Sequence, residues 1–212
     1  MEGLTGLLTI PTAEMQPDRQ VSFGVSYIQR DYVSFGSYRY DAYSPYVTIS
    51  FLPFVEASVR LTRLINLQGS GQAIGDRTPS VRLRFIEEGQ YSPAIVLGMH
   101  DLLGVFGGES AIHNNALYVV TSKHIATTSF LSEIGFHLGY GVDWIKADNH
   151  NFVGLFGGID FKFFNTLELM TEYDGTHSNG GIRVKFFDHI TLLGGWLRWK
   201  YFSGGAGVSF GL

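Results

Sequence analysis

Gly207-Val208-Ser209-Phe210-Gly211-Leu212 ends the chain, preceded by Ala206, and reads Gly-x-x-Phe-x-Leu. Apolar residues alternate onto one face and small residues onto the other. That is the form of a closing strand offered to a barrel-assembly machine, with Gly207, Phe210 and Leu212 as the signal. A soluble sheet gains nothing by stopping on an apolar residue, whereas a lipid-embedded barrel closes by pairing its last strand with its first. The stretch therefore predicts an outer-membrane strand.

Composition is consistent with that reading. The 212 residues are 45% hydrophobic and 15% aromatic, with 27 Gly and 6 Pro, enough for one sizeable domain. A membrane-spanning helix needs about 20 consecutive apolar residues, and no window comes close. Cysteine is absent, which removes disulfides and thiolate metal sites. The net charge is −4 and there is no basic run for phosphates, so nucleic acid is not an expected partner. Met1-Glu2-Gly3 has neither a charged n-region nor an apolar h-region, so an outer-membrane destination implies a leader already removed.

The dominant period along the chain is two, with runs bounded by Gly, Asn, Asp and Pro. It predicts twelve strands, over 20–30, 45–52, 54–64, 78–88, 92–103, 114–124, 128–144, 151–164, 166–175, 179–187, 190–201 and 203–212. The even number suits a closed antiparallel barrel. Connections alternate in length. Short turns are expected at Leu52-Pro53-Phe54, Glu88-Gly89-Gln90, His124-Ile125-Ala126, Phe164-Asn165-Thr166 and Asp188-His189, and longer loops at 31–44, 65–77, 104–113, 145–150 and 175–179. Short periplasmic turns and longer external loops are the usual asymmetry of transmembrane barrels. Residues 1–19, with Pro11 and Pro17, form a separate N-terminal segment expected to cap or enter the periplasmic mouth.

Alternation sorts the strands into two faces. The apolar one collects Phe23, Val25, Val59, Leu61, Leu83, Phe136, Leu138, Leu169, Ile182, Leu193 and Leu197, among others. A soluble barrel would bury this face; a membrane barrel turns it outward. Two aromatic belts favour the membrane: Phe51, Phe85, Phe163, Phe186 and Phe210 at the short-turn end, and Tyr27, Trp144, Tyr173, Trp199 and Tyr201 at the long-loop end. Such rings sit where hydrocarbon meets headgroups.

Four stretches resemble the YjbH-like family. They are Gly3-Leu4-x-Gly6-Leu7-Leu8-x-x-Pro11-Thr12-Ala13-Glu14; Pro79-Ser80-Val81-Arg82-Leu83-Arg84-Phe85 through Pro93-Ala94-x-x-Leu97-Gly98-x-x-Asp101-Leu102-Leu103-Gly104; Tyr118-Val119-Val120-Thr121-Ser122-Lys123; and Gly139-Tyr140-Gly141. The resemblance implies a bacterial outer-membrane β-barrel associated with exopolysaccharide or capsule production, and it transfers no catalytic residues.

The inward polar face carries the one constellation of charge. Arg60, Arg82, Arg84, Lys162, Arg183, Lys185 and Arg198 face Glu56, Glu133, Asp160, Glu168 and Glu172. Burying an unpaired charge costs several kcal/mol, so these groups are expected to neutralise one another across a narrow lumen; a basic track for anionic sugars is the alternative. The seven His have no metal-ligand spacing. His113, His150 and His177 fall in loops and His124 and His189 in turns, where solvation is expected, while His100 and His137 point to the polar face. Ser132, Ser209 and His137 are the candidates for hydrolysis, but no Gly-x-Ser-x-Gly elbow accompanies them. No catalytic residue, cofactor or metal is expected. The expected partners are outer-membrane lipid, the barrel-assembly machinery, and polysaccharide or envelope-complex proteins. Tyr32, Tyr38, Tyr40 and Tyr43 supply rings for stacking on sugars. The sequence thus points to a non-catalytic accessory in exopolysaccharide export or envelope assembly. A pore for acidic oligosaccharides and an outer-membrane hydrolase are the alternatives.

Overall fold

The computed structural model describes residues 3–29, 34–35, 38–39, 41–65, 73–102, 115–144 and 152–212, with side chains throughout except at 34–35, 38–39 and 73–76. Tyr32, Tyr40, His113, His150 and the expected loops 104–113 and 145–150 lie outside the described residues. The strands are β1 (Gln20–Ile28), β2 (Ser34–Phe35), β3 (Tyr38–Arg39), β4 (Asp41–Leu52), β5 (Val55–Ile65), β6 (Ala73–Ile86), β7 (Ala94–His100), β8 (Ala116–Ala126), β9 (Leu131–Val142), β10 (Gly154–Phe163), β11 (Leu167–Tyr173), β12 (Ser178–Phe186), β13 (Ile190–Leu197) and β14 (Tyr201–Gly211). Twelve of them close an antiparallel barrel in the order β1-β14-β13-β12-β11-β10-β9-β8-β7-β6-β5-β4, and β2 and β3 form a small hairpin of their own. The ring shuts where β1 lies against both β14 and β4, with Gln20 opposite Gly211 on one side and Ser50 on the other.

The pleat sends alternate residues to opposite sides of the wall, and the apolar set faces out. Phe23, Val59, Leu83, Phe136, Leu138 and Ile182 are exposed, while Ser22, Ser58, Ser80, Arg82 and His137 on the other parity are buried. Phe51, Phe85, Phe186 and Phe210 stand exposed near the short-turn end, as do Trp144, Tyr173 and Trp199 near the other. Phe163 and Tyr201 are only part-exposed; Phe163 stacks edge-on with Phe130, the ring centroids 5.4 Å apart, and Tyr201 packs against the interior.

Four local readings are corrected. His124-Ile125-Ala126 continues β8, and the chain reverses at 127–130, where Thr127 N donates to Ser132 O at 3.1 Å and Thr128 N to Leu131 O at 2.9 Å. β13 ends at Leu197, and Arg198-Trp199 makes a tight turn closed by Lys200 N donating to Leu197 O at 3.1 Å. Both turn residues have positive φ, 54° and 56°. Such turns match strand twist but normally carry Gly, Asn or Asp, none of which marks this one. Leu193 and Leu197 face inward, while Leu192 and Trp196 face out. Thr191-Leu192-Leu193-Gly194-Gly195-Trp196-Leu197 has apolar side chains on both parities, so alternation alone could not set its phase. β4 also starts earlier than expected and runs through Pro45; its ladder with β5 passes from Tyr43 to Tyr46 without pairing there, as a residue lacking an N–H requires.

Candidate functional site

The barrel interior is occupied by the start of the chain. Residues 3–19 enter from the short-turn end and reverse at Leu7–Ile10, where Gly6 bridges Pro11 and Leu7 N donates to Ile10 O at 3.0 Å. Leu7, Leu8, Ile10 and Ala13 are buried together with Val96, Tyr118, Val120, Phe152, Phe156 and Met170. Glycines in the wall make the room. A Cβ on Gly158 would sit 2.5 Å from Leu7 Cδ1, and one on Gly181 would collide with Leu8 Cδ1. Beside the segment the lumen is filled by Tyr118, Phe152 and Phe156, whose rings meet edge to face at 6.1–6.2 Å.

The charges hold this segment by its backbone. Glu172, on β11 near the long-loop end, accepts from Leu8 N at 2.9 Å, Thr9 N at 2.9 Å and Ile10 N at 3.4 Å, and from the Thr9 hydroxyl. Asn179 Nδ2 donates to the same carboxylate at 3.0 Å. Glu56 accepts from Thr5 N at 3.0 Å, Thr5 Oγ1 at 2.7 Å and Gln16 N at 3.0 Å. Arg82 donates to Thr5 O and Glu14 O, and Arg183 to Gly6 O and Leu7 O. The reversal is thus enclosed by carboxylates on its amides and guanidiniums on its carbonyls.

Direct ion pairs lie between adjacent strands. Glu56 is opposite Arg82 in register, 3.5 Å apart with both side chains fully buried; Glu168 is opposite Arg183 at 2.7 Å; Glu133 is opposite Lys162 at 2.6 Å. The expectation of pairs spanning the lumen is corrected: cross-strand neighbours are already at contact distance, and the remaining hydrogen-bonding capacity goes to the segment. Arg60 is buried, with Nη2 donating to Thr78 Oγ1 at 3.4 Å. Three residues leave the inward set. Arg84 reaches the short-turn rim, donating to Pro53 O at 2.7 Å; Lys185 is exposed at the same end; Arg198 is exposed on its turn.

A second cluster lies on β8, β9 and β10 toward the short-turn end. His137 Nε2 is 2.7 Å from Asp160 Oδ1, and its Nδ1 is 2.7 Å from Ser122 Oγ. His124, read from sequence as a solvated turn residue, is largely buried, with Nδ1 2.6 Å from Glu88 Oε2 and Nε2 3.4 Å from Glu14 Oε1. Burial pushes the Glu88 carboxyl up, but hydrogen bonds from His124 and Lys123 outweigh it and hold Glu88 below the usual range. Partial burial likewise raises Glu14, and the neighbouring His124, His137, Lys162 and Arg183 bring it below its ordinary value. Ser122, His137 and Asp160 form a hydroxyl–imidazole–carboxylate file, yet Ser122 Oγ accepts from Ala13 N at 2.7 Å and is sealed beneath the segment. Of the serines weighed for hydrolysis, Ser132 Oγ accepts from Asn165 N at 3.2 Å and Ser209 Oγ lies 2.8 Å from Ser22 Oγ, so neither joins His137. His100 is buried against Ser80 Oγ at 2.9 Å.

The proposed signal residues lie on or just beyond β14: Gly207 opposite Gly24, Phe210 opposite Val21, and Leu212 N donating to Arg19 O at 2.6 Å. No curated protein matches the chain significantly. The model of the YjbH family, described as exopolysaccharide biosynthesis protein YbjH, matches residues 2–179, which take in the interior segment and all the strands from β1 to β11. The chain belongs to the YjbH family, a family named for exopolysaccharide biosynthesis.

Proposed function

We propose that this protein is a plugged outer-membrane β-barrel that acts without catalysis, as an accessory to exopolysaccharide or capsule export or to envelope assembly. The observation that carries the reading is the combination of an apolar outer wall with a lumen filled by the chain's own residues 3–19. An outward band of Leu, Val, Ile and Phe, flanked by aromatic rings, suits lipid on the outside. The interior leaves Arg82, Arg183 and Lys162 engaged with backbone carbonyls or carboxylates, which supports contact-mediated function at the rims over solute passage. Barrel-assembly machinery and lipid are then the partners during maturation, and envelope or polysaccharide components the partners afterwards. The long-loop end is external in this reading and the short-turn end periplasmic. Tyr43, 44% exposed and 5.3 Å from the Tyr27 ring, offers an aromatic surface at the external end.

The test has two arms. Cells lacking the protein should lose surface exopolysaccharide while the protein itself fractionates with the outer membrane. In planar bilayers the purified chain should give no steady conductance. A steady anion-selective current that falls on neutralising Arg60 or Arg183 would replace this reading with the acidic-saccharide pore.

A further inference from the structure

We infer that His124, His137, Asp160 and Glu14 form a binding site for a divalent transition metal of the Zn2+ type, which fastens the interior segment to the barrel wall. One ligand atom from each of His124, His137 and Asp160 lies within 4.8 Å of the others. Glu14 joins from the segment, its Oε1 3.4 Å from His124 Nε2. Two imidazole nitrogens and two carboxylates make a four-ligand set whose charge balances a divalent ion, and imidazole selects Zn2+ over Mg2+ or Ca2+.

The surroundings of the two histidines carry the argument beyond proximity. Each ring uses Nδ1 to contact a wall residue: His124 to Glu88 at 2.6 Å, His137 to Ser122 at 2.7 Å. Each therefore turns Nε2 inward, toward the same space. Histidines that bind metal are oriented in this way, with the distal nitrogen held by a carboxylate or hydroxyl that fixes the tautomer and, for a carboxylate, strengthens the ligand. Ser122 is held in turn by Ala13 N. His124 Nε2 is buried and faces Glu14 Oε1 at 3.4 Å without completing a hydrogen bond, a separation that a cation coordinated by both atoms would fit. Lys162 is engaged at 2.6 Å by Glu133.

Only a local adjustment is needed. Tetrahedral ligands at about 2.0–2.2 Å from zinc lie roughly 3.3 Å apart. His137 would shift its ring proton from Nε2, where Asp160 Oδ1 accepts it at 2.7 Å, to Nδ1 facing Ser122 Oγ, and Asp160 Oδ1 would share the ion instead. Entry is from the short-turn mouth, where the Glu14 side chain is 35% exposed. Because Glu14 belongs to the segment and the other ligands to the wall, the ion would add a cross-link that hydrogen bonds alone do not supply.

The full chain in detergent, stripped with chelator, is titrated with Zn2+ by calorimetry and with Co2+ by visible absorption. One Zn2+ per chain is expected, not displaced by excess Mg2+, with intense Co2+ bands typical of tetrahedral coordination. His124→Gln and Asp160→Asn should each weaken binding about tenfold or more. Zn2+ should protect residues 3–19 from protease in the unmodified chain but not in Glu14→Gln. Absence of saturable binding to the unmodified chain, or octahedral Co2+ alone, overturns the site even if the variants fold poorly. Affinity unchanged in both well-folded variants overturns it as well.

Discussion

Glu172 is the residue on which the interior segment turns. Its carboxylate receives three consecutive backbone N–H groups and the amide of Asn179, and it is buried. Hydrogen bonds to a charged acceptor contribute about 1.5–3 kcal/mol each before other losses are counted, and a carboxamide can accept on one side only. Glu172→Gln should therefore loosen the segment by about 2–3 kcal/mol while the wall strands stay paired. Limited proteolysis should cut the variant within residues 3–19 while its heat-modified gel mobility stays that of a folded barrel. Equal resistance in variant and parent would show that Glu172 does not hold the segment. This role could not be read from sequence. Period two placed Glu172 on the inner face, but nothing in the pattern says that a carboxylate will meet amides instead of an arginine. His124 is hidden for a related reason: with no Gly, Pro or Asn at 127–130, the sequence does not mark the β8 reversal there, and a turn at 124–126 reads equally well.

Among the strands, what alternation specified was recovered and what it left open was not. β5, β6, β9 and β12 each have one apolar and one polar parity, and their faces follow directly. β13 has two apolar parities and a turn at Arg198-Trp199 without turn residues, so neither its phase nor its end follows from the pattern. On β9, Leu138 is 54% exposed on the outer wall between Phe136 and Tyr140. Leu138→Arg should cost about 2–4 kcal/mol if that wall meets hydrocarbon, measured by reversible unfolding in lipid vesicles. A loss below a few tenths of a kcal/mol would remove lipid from the outer wall. On β14, Phe210 packs little and is 51% exposed. Phe210→Ala should slow assembly in cells several-fold and leave refolding in detergent close to normal. Equal slowing in both settings would mean that the side chain serves packing and not recognition.

At the scale of the molecule, ring and filling were legible to different degrees. Twelve strands and their antiparallel closure followed from periodicity and loop signals. The sequence sets residues 1–19 apart as a segment to cap or enter the mouth, but not how they seat, because residues 3–19 lack alternation and take their conformation from the wall: Leu7 and Leu8 are adjacent in sequence, and each has its own recess over Gly158 or Gly181. Deleting residues 3–16 should convert a silent barrel into one with measurable conductance, since the segment is the main body in the lumen. The deletion also strips Glu172, Glu56, Arg82 and Arg183 of their backbone partners, so its folded state should be less stable by several kcal/mol. Bilayer recordings of parent and deletion at matched protein-to-lipid ratio decide this. Silence in both would mean that the wall side chains close the lumen unaided.

The seam between β1 and β14 also imposes an order of events. Gln20 lies opposite Gly211, so the contact that shuts the ring joins residues almost a whole chain apart. Pairings of such separation form late, because most of the chain must already be organised before its ends can meet. The hairpin at 3–19 leads directly into β1, and its reversal is gripped by strands as distant as β11 and β12. Folded back on itself and carrying Leu7 and Leu8 against recessed glycines, it would have to be forced up a narrow bore if it arrived after closure. Maturation is therefore expected to be a matter of timing, with residues 3–19 laid against an open, curling sheet before β14 seals them in.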